Sequence, residues 1–175
     1  MINTQKYIRD NKEKFLSELF QLLRLPSISA DPKYSKDVVA TAEMVRNNLE
    51  KIGLTNCKLF ETDGFPIVYG EKIIDSNLPT VLIYGHYDVQ PPDPIDLWKS
   101  KPFEPEIRNE KIYARGACDD KGQFFMHVKA VESMIAAGEL CCNVKFMIEG
   151  EEEIGSENLE IFVKNNKQLL SSDVI

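Results

Sequence analysis

No apolar run in this 175-residue sequence approaches the ~20 residues that a bilayer-spanning helix needs. The opening Met1-Ile2-Asn3-Thr4-Gln5-Lys6 has no apolar segment of the signal-peptide kind, so a cytoplasmic protein without a membrane partner is expected. Basic residues are outnumbered and the formal net charge is −7, which leaves no positive stripe to neutralise phosphates. Nucleic acid is therefore excluded as a partner. Cysteine is sparse: Cys57, Cys118, Cys141 and Cys142 form no C-x-x-C pair, which argues against a structural zinc knot and for reduced thiols. Adjacent Cys141 and Cys142 are expected on opposite faces of a strand, one of them in the core. Internal repeats and low-complexity linkers are also missing. What remains, with 43% hydrophobic and 28% charged residues, is an ordinary globular composition on a length that suits one domain.

Apolar residues from Ile8 to Arg24, among them Phe15, Leu16, Leu19, Phe20 and Leu23, recur at helical spacing until Leu25-Pro26-Ser27 breaks the pattern. Ser35-Lys36-Asp37 is read as the cap of a second helix that buries Val45, Leu49 and Ile52 and ends at Gly53. Short apolar runs at 57–61, 65–71 and 80–84 read as strands. Residues 106–108 and 111–114 read as a hairpin around Asn109-Glu110. A long helix from Asp119 or Asp120 to Gly138, a strand at 143–148, a helix at 156–170 and the start of a strand at 173–175 complete the chain. Alternation of this kind predicts an α/β sandwich with its polar clusters at strand ends.

Three clusters carry chemistry. In Tyr84-Gly85-His86-Tyr87-Asp88 a strand ends in a histidine with an aspartate two residues on, so His86 can bind a metal while Asp88 orients its ring. A surface turn accounts for the same pair taken alone. In Arg115-Gly116-Ala117-Cys118-Asp119-Asp120 two carboxylates sit at a helix start, where they either cap the helix or hold cations. In Glu149-Gly150-Glu151-Glu152-Glu153-Ile154-Gly155-Ser156 four glutamates follow an apolar strand directly, as a solvated face or as converging ligands. His86, Asp119 and Glu152 are equally spaced, and the combination is more specific than any member.

With those residues in place, the sequence resembles the cocatalytic dizinc peptidases and amidohydrolases that include carnosinases, dipeptidases, aminoacylases, succinyl-diaminopimelate desuccinylase and glutamate carboxypeptidases. The segments that carry the resemblance are Gly85 to Pro92, Leu97-Trp98, Pro102 to Pro105, Ala114 to Gly122 and Glu149 to Ser156. It implies a three-layer α/β/α catalytic domain with a mixed sheet and two zinc ions, for which manganese or cobalt could substitute. His86 and Glu153 become terminal metal ligands, Asp119 the bridging carboxylate, Asp88 the partner of His86 and Glu152 the general base. Glu149 and Glu151 receive no role, and His127 is read as a packing or surface residue.

The implied reaction is hydrolysis of an amide by metal-activated water. Trp98 and the proline-rich segment point to a dipeptide, with an N-acyl amino acid as the alternative and a non-catalytic metal-binding module as the rival from another class. The resemblance also implies a further acidic ligand, a lid or dimerisation domain that makes the full-length protein a homodimer, and a late histidine. Residues 1–175 are therefore expected to be the N-terminal part of a catalytic domain truncated at its C-terminus, and inactive alone.

Overall fold

The computed structural model describes residues 3–175. Two helices, α1 (Thr4–Asp10) and α2 (Lys12–Leu23), lead into α3 (Ser35–Lys51). Strands β1 (Thr55–Phe60), β2 (Ile67–Lys72) and β3 (Thr80–His86) follow, then the hairpin β4 (Glu106–Arg108) and β5 (Lys111–Tyr113). The chain closes with α4 (Lys121–Ala137), β6 (Asn143–Glu149), α5 (Leu159–Asn165) and α6 (Lys167–Leu170).

The four-stranded sheet runs β1-β2-β6-β3. It is mixed: β1 and β6 pair antiparallel with β2, whereas β3 and β6 are parallel. β6 is buried along its whole length, as expected of a central strand covered on both faces. Its alternating side chains serve two cores. Val144, Phe146 and Ile148 pack with Val45 and Leu49 of α3 and Phe124, Val128 and Val131 of α4. Met147 faces the other way, with Ile67, Tyr69, Phe162 and Leu170. Helices thus cover both sheet faces, and the predicted α/β/α layering and mixed sheet are present.

Asparagine accounts for two departures from the expected elements. The opening helix divides at Asn11, and the last helix divides at Asn166. In both, the side-chain amide donates to the carbonyl four residues back, Tyr7 O at 2.9 Å and Phe162 O at 2.8 Å, an alternative that weakens helix continuity. That last helical segment also starts at Leu159 rather than Ser156, because Ser156 has a left-handed φ of 53°. Ser35 opens α3 without capping it; its hydroxyl donates instead to Pro32 O at 2.8 Å. Cys141 and Cys142 precede β6 rather than lying in it, Cys141 exposed and Cys142 partly packed on the core. All four thiols are free. The hairpin turns at Asn109 and Glu110, both left-handed, as its sequence predicts. Val174 makes a single parallel bridge to Val81 beside β3, the beginning of the expected last strand.

The opening helices are fastened to α4 by charge. Lys129, 7% exposed, donates to Glu18 at 2.6 Å and to Glu132 at 2.7 Å. Lys14 donates to the other oxygen of Glu132 at 2.6 Å, and Lys51 to that of Glu18 at 2.8 Å. Burial alone would raise both carboxyl pKa values, but the hydrogen-bonded ammonium groups outweigh it and hold Glu18 and Glu132 below the usual glutamate value.

Candidate metal centre

β3 and β6 are parallel neighbours, and His86 stands opposite Glu149 in their register. The loops that leave both strands therefore emerge at one end of the sheet. The segment before α4 reaches the same place. Gly85 allows this approach, because a Cβ there would lie 2.6 Å from Asp120 Oδ2 and 2.9 Å from Phe124 Cβ. Gly150 is needed at the end of β6, where a Cβ would meet the Tyr87 ring at 2.3 Å.

His86, only 6% exposed, is the centre of the arrangement. Its Nε2 lies 3.0 Å from Asp119 Oδ1 and 3.8 Å from Glu152 Oε2. One ligand atom from each of His86, Asp119 and Glu153 falls within 4.8 Å of the others. On the opposite side of the ring, Nδ1 lies 3.3 Å from Asp88 Oδ1 and 3.2 Å from the Asp88 carbonyl oxygen. All five residues singled out from the sequence thus meet at one point. His127 stays exposed on α4, apart from them.

Asp88 is fully buried and accepts from more than His86. It takes the Ser29 hydroxyl at 2.6 Å and the backbone N–H groups of Glu152 at 3.3 Å and Glu153 at 3.1 Å. It therefore fixes the ring and the glutamate loop at once. Asp120 occupies the N-cap position of α4, yet its carboxylate does not cap the helix and accepts the His86 N–H at 3.0 Å. Gln90 donates to the Glu153 carboxylate at 2.8 Å. Sequence reading assigned no role to Ser29 or Gln90, and offered Asp120 only as a helix cap or a cation holder, neither of which is the bond it makes to the His86 N–H. Only Gln90 and Asp120 lay inside the recognised motifs, and Ser29 sits far away in the chain with no local signal.

The electrostatics are those of a cation site. Asp88, Asp119, Asp120, Glu149, Glu151, Glu152 and Glu153 crowd this end, and among the described residues none of them forms a salt bridge with lysine or arginine. Lys121 is close by, but its buried ammonium donates to Leu22 O at 3.2 Å and Leu25 O at 2.7 Å, and burial lowers its pKa to about 7. Burial raises the pKa of Asp120 and of Glu149, and their hydrogen-bond donors do not cancel it. For His86, burial disfavours the proton, but Asp88, Asp120 and Glu152 prevail and push the pKa up to about 9. A proton or a metal would satisfy the same need, so the two compete there. A cavity of about 720 Å³ adjoins the cluster, lined by Trp98, Tyr113, Arg115, Cys118 and Asp119.

A strand-end histidine, a helix-leading aspartate and a glutamate loop thus converge at one end of an α/β/α frame, the arrangement of a candidate metal centre. The sequence profile of peptidase family M20/M25/M40 matches residues 82–171, and the chain belongs to that family. Over 99% of its length it is 31% identical to a cysteinylglycine-S-conjugate dipeptidase of Corynebacterium striatum. It superposes with a TM-score of 0.85 on an M20 family metallo-carboxypeptidase from Sulfolobus solfataricus, 41% identical over 92% of the chain. On human carnosine dipeptidase 1 the TM-score is 0.87, with 28% identity over 94% of the chain. The match covers 38%, 36% and 37% of these three proteins, so the chain spans less than two-fifths of each. Among the described residues no helix is long and apolar enough to cross a membrane.

Proposed function

We propose that these residues form the metal-binding half of a dipeptide-hydrolysing site with two zinc ions. The observation that carries the reading is the convergence of His86, Asp119 and Glu153 within 4.8 Å in a carboxylate cluster that no lysine or arginine neutralises among the described residues. One imidazole with several carboxylates suits zinc, and also accepts manganese or cobalt. His86, Asp119 and Glu153 are the residues that would hold the metal. Bound zinc would supply Lewis acidity toward a peptide carbonyl and lower the pKa of water.

The chain's own residues do the remaining work. Asp88 holds the His86 ring by Nδ1 and so leaves Nε2 facing Asp119. Glu152, half-exposed at the rim, accepts the proton of the attacking water and returns it to the leaving amine. The cavity beside Asp119 has room for a dipeptide, and Trp98 with Tyr113 gives it an aromatic wall. A dipeptide is preferred because the relatives from Corynebacterium and human are named as dipeptidases. The relatives' greater length supports reading these residues as the N-terminal part of a larger catalytic unit that supplies the other ligands. The test is cleavage of Cys-Gly by the protein that contains this chain, with and without chelator, beside Glu152→Gln. Chelator should abolish cleavage, and Glu152→Gln should abolish it while zinc affinity persists. Undiminished turnover in Glu152→Gln would remove the assignment of the base.

A further inference from the structure

The glutamate run contains a residue for which the proposed chemistry has no use. Glu149 is 2% exposed, ends β6 and lies opposite His86. A buried carboxylate is costly unless its oxygens are satisfied. One of its oxygens, Oε1, accepts the Tyr84 hydroxyl at 2.5 Å and the Ser156 hydroxyl at 2.9 Å. Tyr84 belongs to β3, two residues before His86. Ser156 is the first residue after the loop that carries Glu152 and Glu153.

Between Glu149 and Ser156 the chain makes a closed excursion. Residues Glu152–Ile154 form one 3-10 turn, and left-handed Gly155 and Ser156, at φ 104° and 53°, bring the chain back. The loop's far end is held by Asp88, through the N–H groups of Glu152 and Glu153. Its neck is closed by the Ser156 N–H, which donates to Glu151 O at 2.8 Å, and by the Ser156 hydroxyl on Glu149. Tyr84 joins that neck to the strand that ends in His86. The loop is therefore tied at its neck to β3 through Tyr84 and at its far end to Asp88 and Gln90 just beyond β3, and these ties fix the glutamates relative to the imidazole.

We propose that Glu149 is a positioning residue for the metal centre: by accepting Tyr84 and Ser156 on one oxygen, it sets the distance between His86 and the pair Glu152 and Glu153. This rests on the zinc-site reading above. The role belongs to an acceptor oxygen and not to negative charge, which a conservative variant can separate. In Glu149→Gln the amide oxygen takes the place of Oε1, whereas Glu149→Ala leaves both hydroxyls without it.

The experiment is calorimetric titration of the protein that contains this chain with zinc alone, together with the visible absorption of its cobalt complex, which reports coordination geometry. Wild type and Asp119→Ala come first. If wild type binds no better than Asp119→Ala, the site reading itself fails, and this proposal with it. If wild type binds, Glu149→Ala is expected to weaken zinc about 10–100-fold, the range for losing an orienting partner, and to alter the cobalt spectrum. Glu149→Gln should restore both to near wild type. Wild-type affinity and spectrum in folded Glu149→Ala, or an equal loss in Glu149→Gln, would overturn the positioning role and leave the site reading standing. Should Glu149→Ala fail to fold, the Tyr84→Phe, Ser156→Ala double variant decides: weakened zinc binding supports the proposal and unchanged binding overturns it.

Discussion

Two clusters of buried charge sit on this small fold, and they are built on opposite plans. Around Lys129 the signs alternate: every carboxylate oxygen of Glu18 and Glu132 meets an ammonium group, and both acids are held below their ordinary pKa. Around His86 the signs repeat, and burial holds Asp120 and Glu149 above theirs. The first cluster is complete within the chain, as a fastening should be. On the proposed reading the second takes its compensating charge from a bound cation. Identical side chains thus separate into structure and function by whether their compensating charge is covalently present.

The largest effect should come from breaking the complete cluster. Lys129→Met leaves Glu18 and Glu132 buried with part of their compensation gone, and is expected to cost about 3–5 kcal/mol in urea unfolding. Its zinc affinity should not change if the protein is still folded; a loss below 1 kcal/mol would mean that the cluster does not need its lysine. Asp119→Ala should do the reverse, weakening zinc beyond the about 10–100-fold that an orienting partner costs while sparing stability without metal. Wild type at a zinc concentration about 100 times its Kd should gain about 2.7 kcal/mol, a gain absent from Asp119→Ala. A thermal shift equal in both proteins would erase the contrast.

Acid sharpens the same comparison. Folded Glu18 and Glu132 titrate below their unfolded value, so their contribution to stability is full above that value, near 4.5, and is lost as pH falls through the folded pKa. The urea midpoint should therefore hold between pH 7 and 5 on account of these two groups and decline below. In Lys129→Met the decline should begin at higher pH, and identical acid profiles would contradict the assigned cause. The smallest effect belongs to Lys51→Ala: that side chain is 63% exposed, and its bond to Glu18 should contribute no more than about 1 kcal/mol.

The layers and the three site clusters were legible in the sequence because their signals are local. An apolar run marks β6, Gly53 and Gly138 end α3 and α4, and each cluster directly follows a strand or leads a helix. The parts that were illegible are bonds between distant segments. Nothing near Ser29 announces Asp88, which the isolated Ile28–Val89 bridge brings close, and nothing near Tyr84 announces Glu149, a neighbour made by the β3–β6 register. The roles of Asn11 and Asn166 stood between the two cases. Their helix-breaking chemistry is local, yet Asn48 sits inside α3 without interrupting it, so residue type alone did not decide.

The place of β6 in the sheet has a consequence for the order in which the molecule assembles. It is the last of the sheet's four main strands to leave the ribosome, and it inserts between β2 and β3, which cannot pair with each other before it comes. Helix α3 and the antiparallel β1–β2 pair rest on contacts closer in sequence and can form earlier, whereas α2 closes onto α4 across more than a hundred residues. His86 meets the Glu152 loop only through the parallel β3–β6 pairing, whose closure spans more than sixty residues. Zinc capture should consequently lag behind helix formation during refolding, which makes the metal a clock for the final strand.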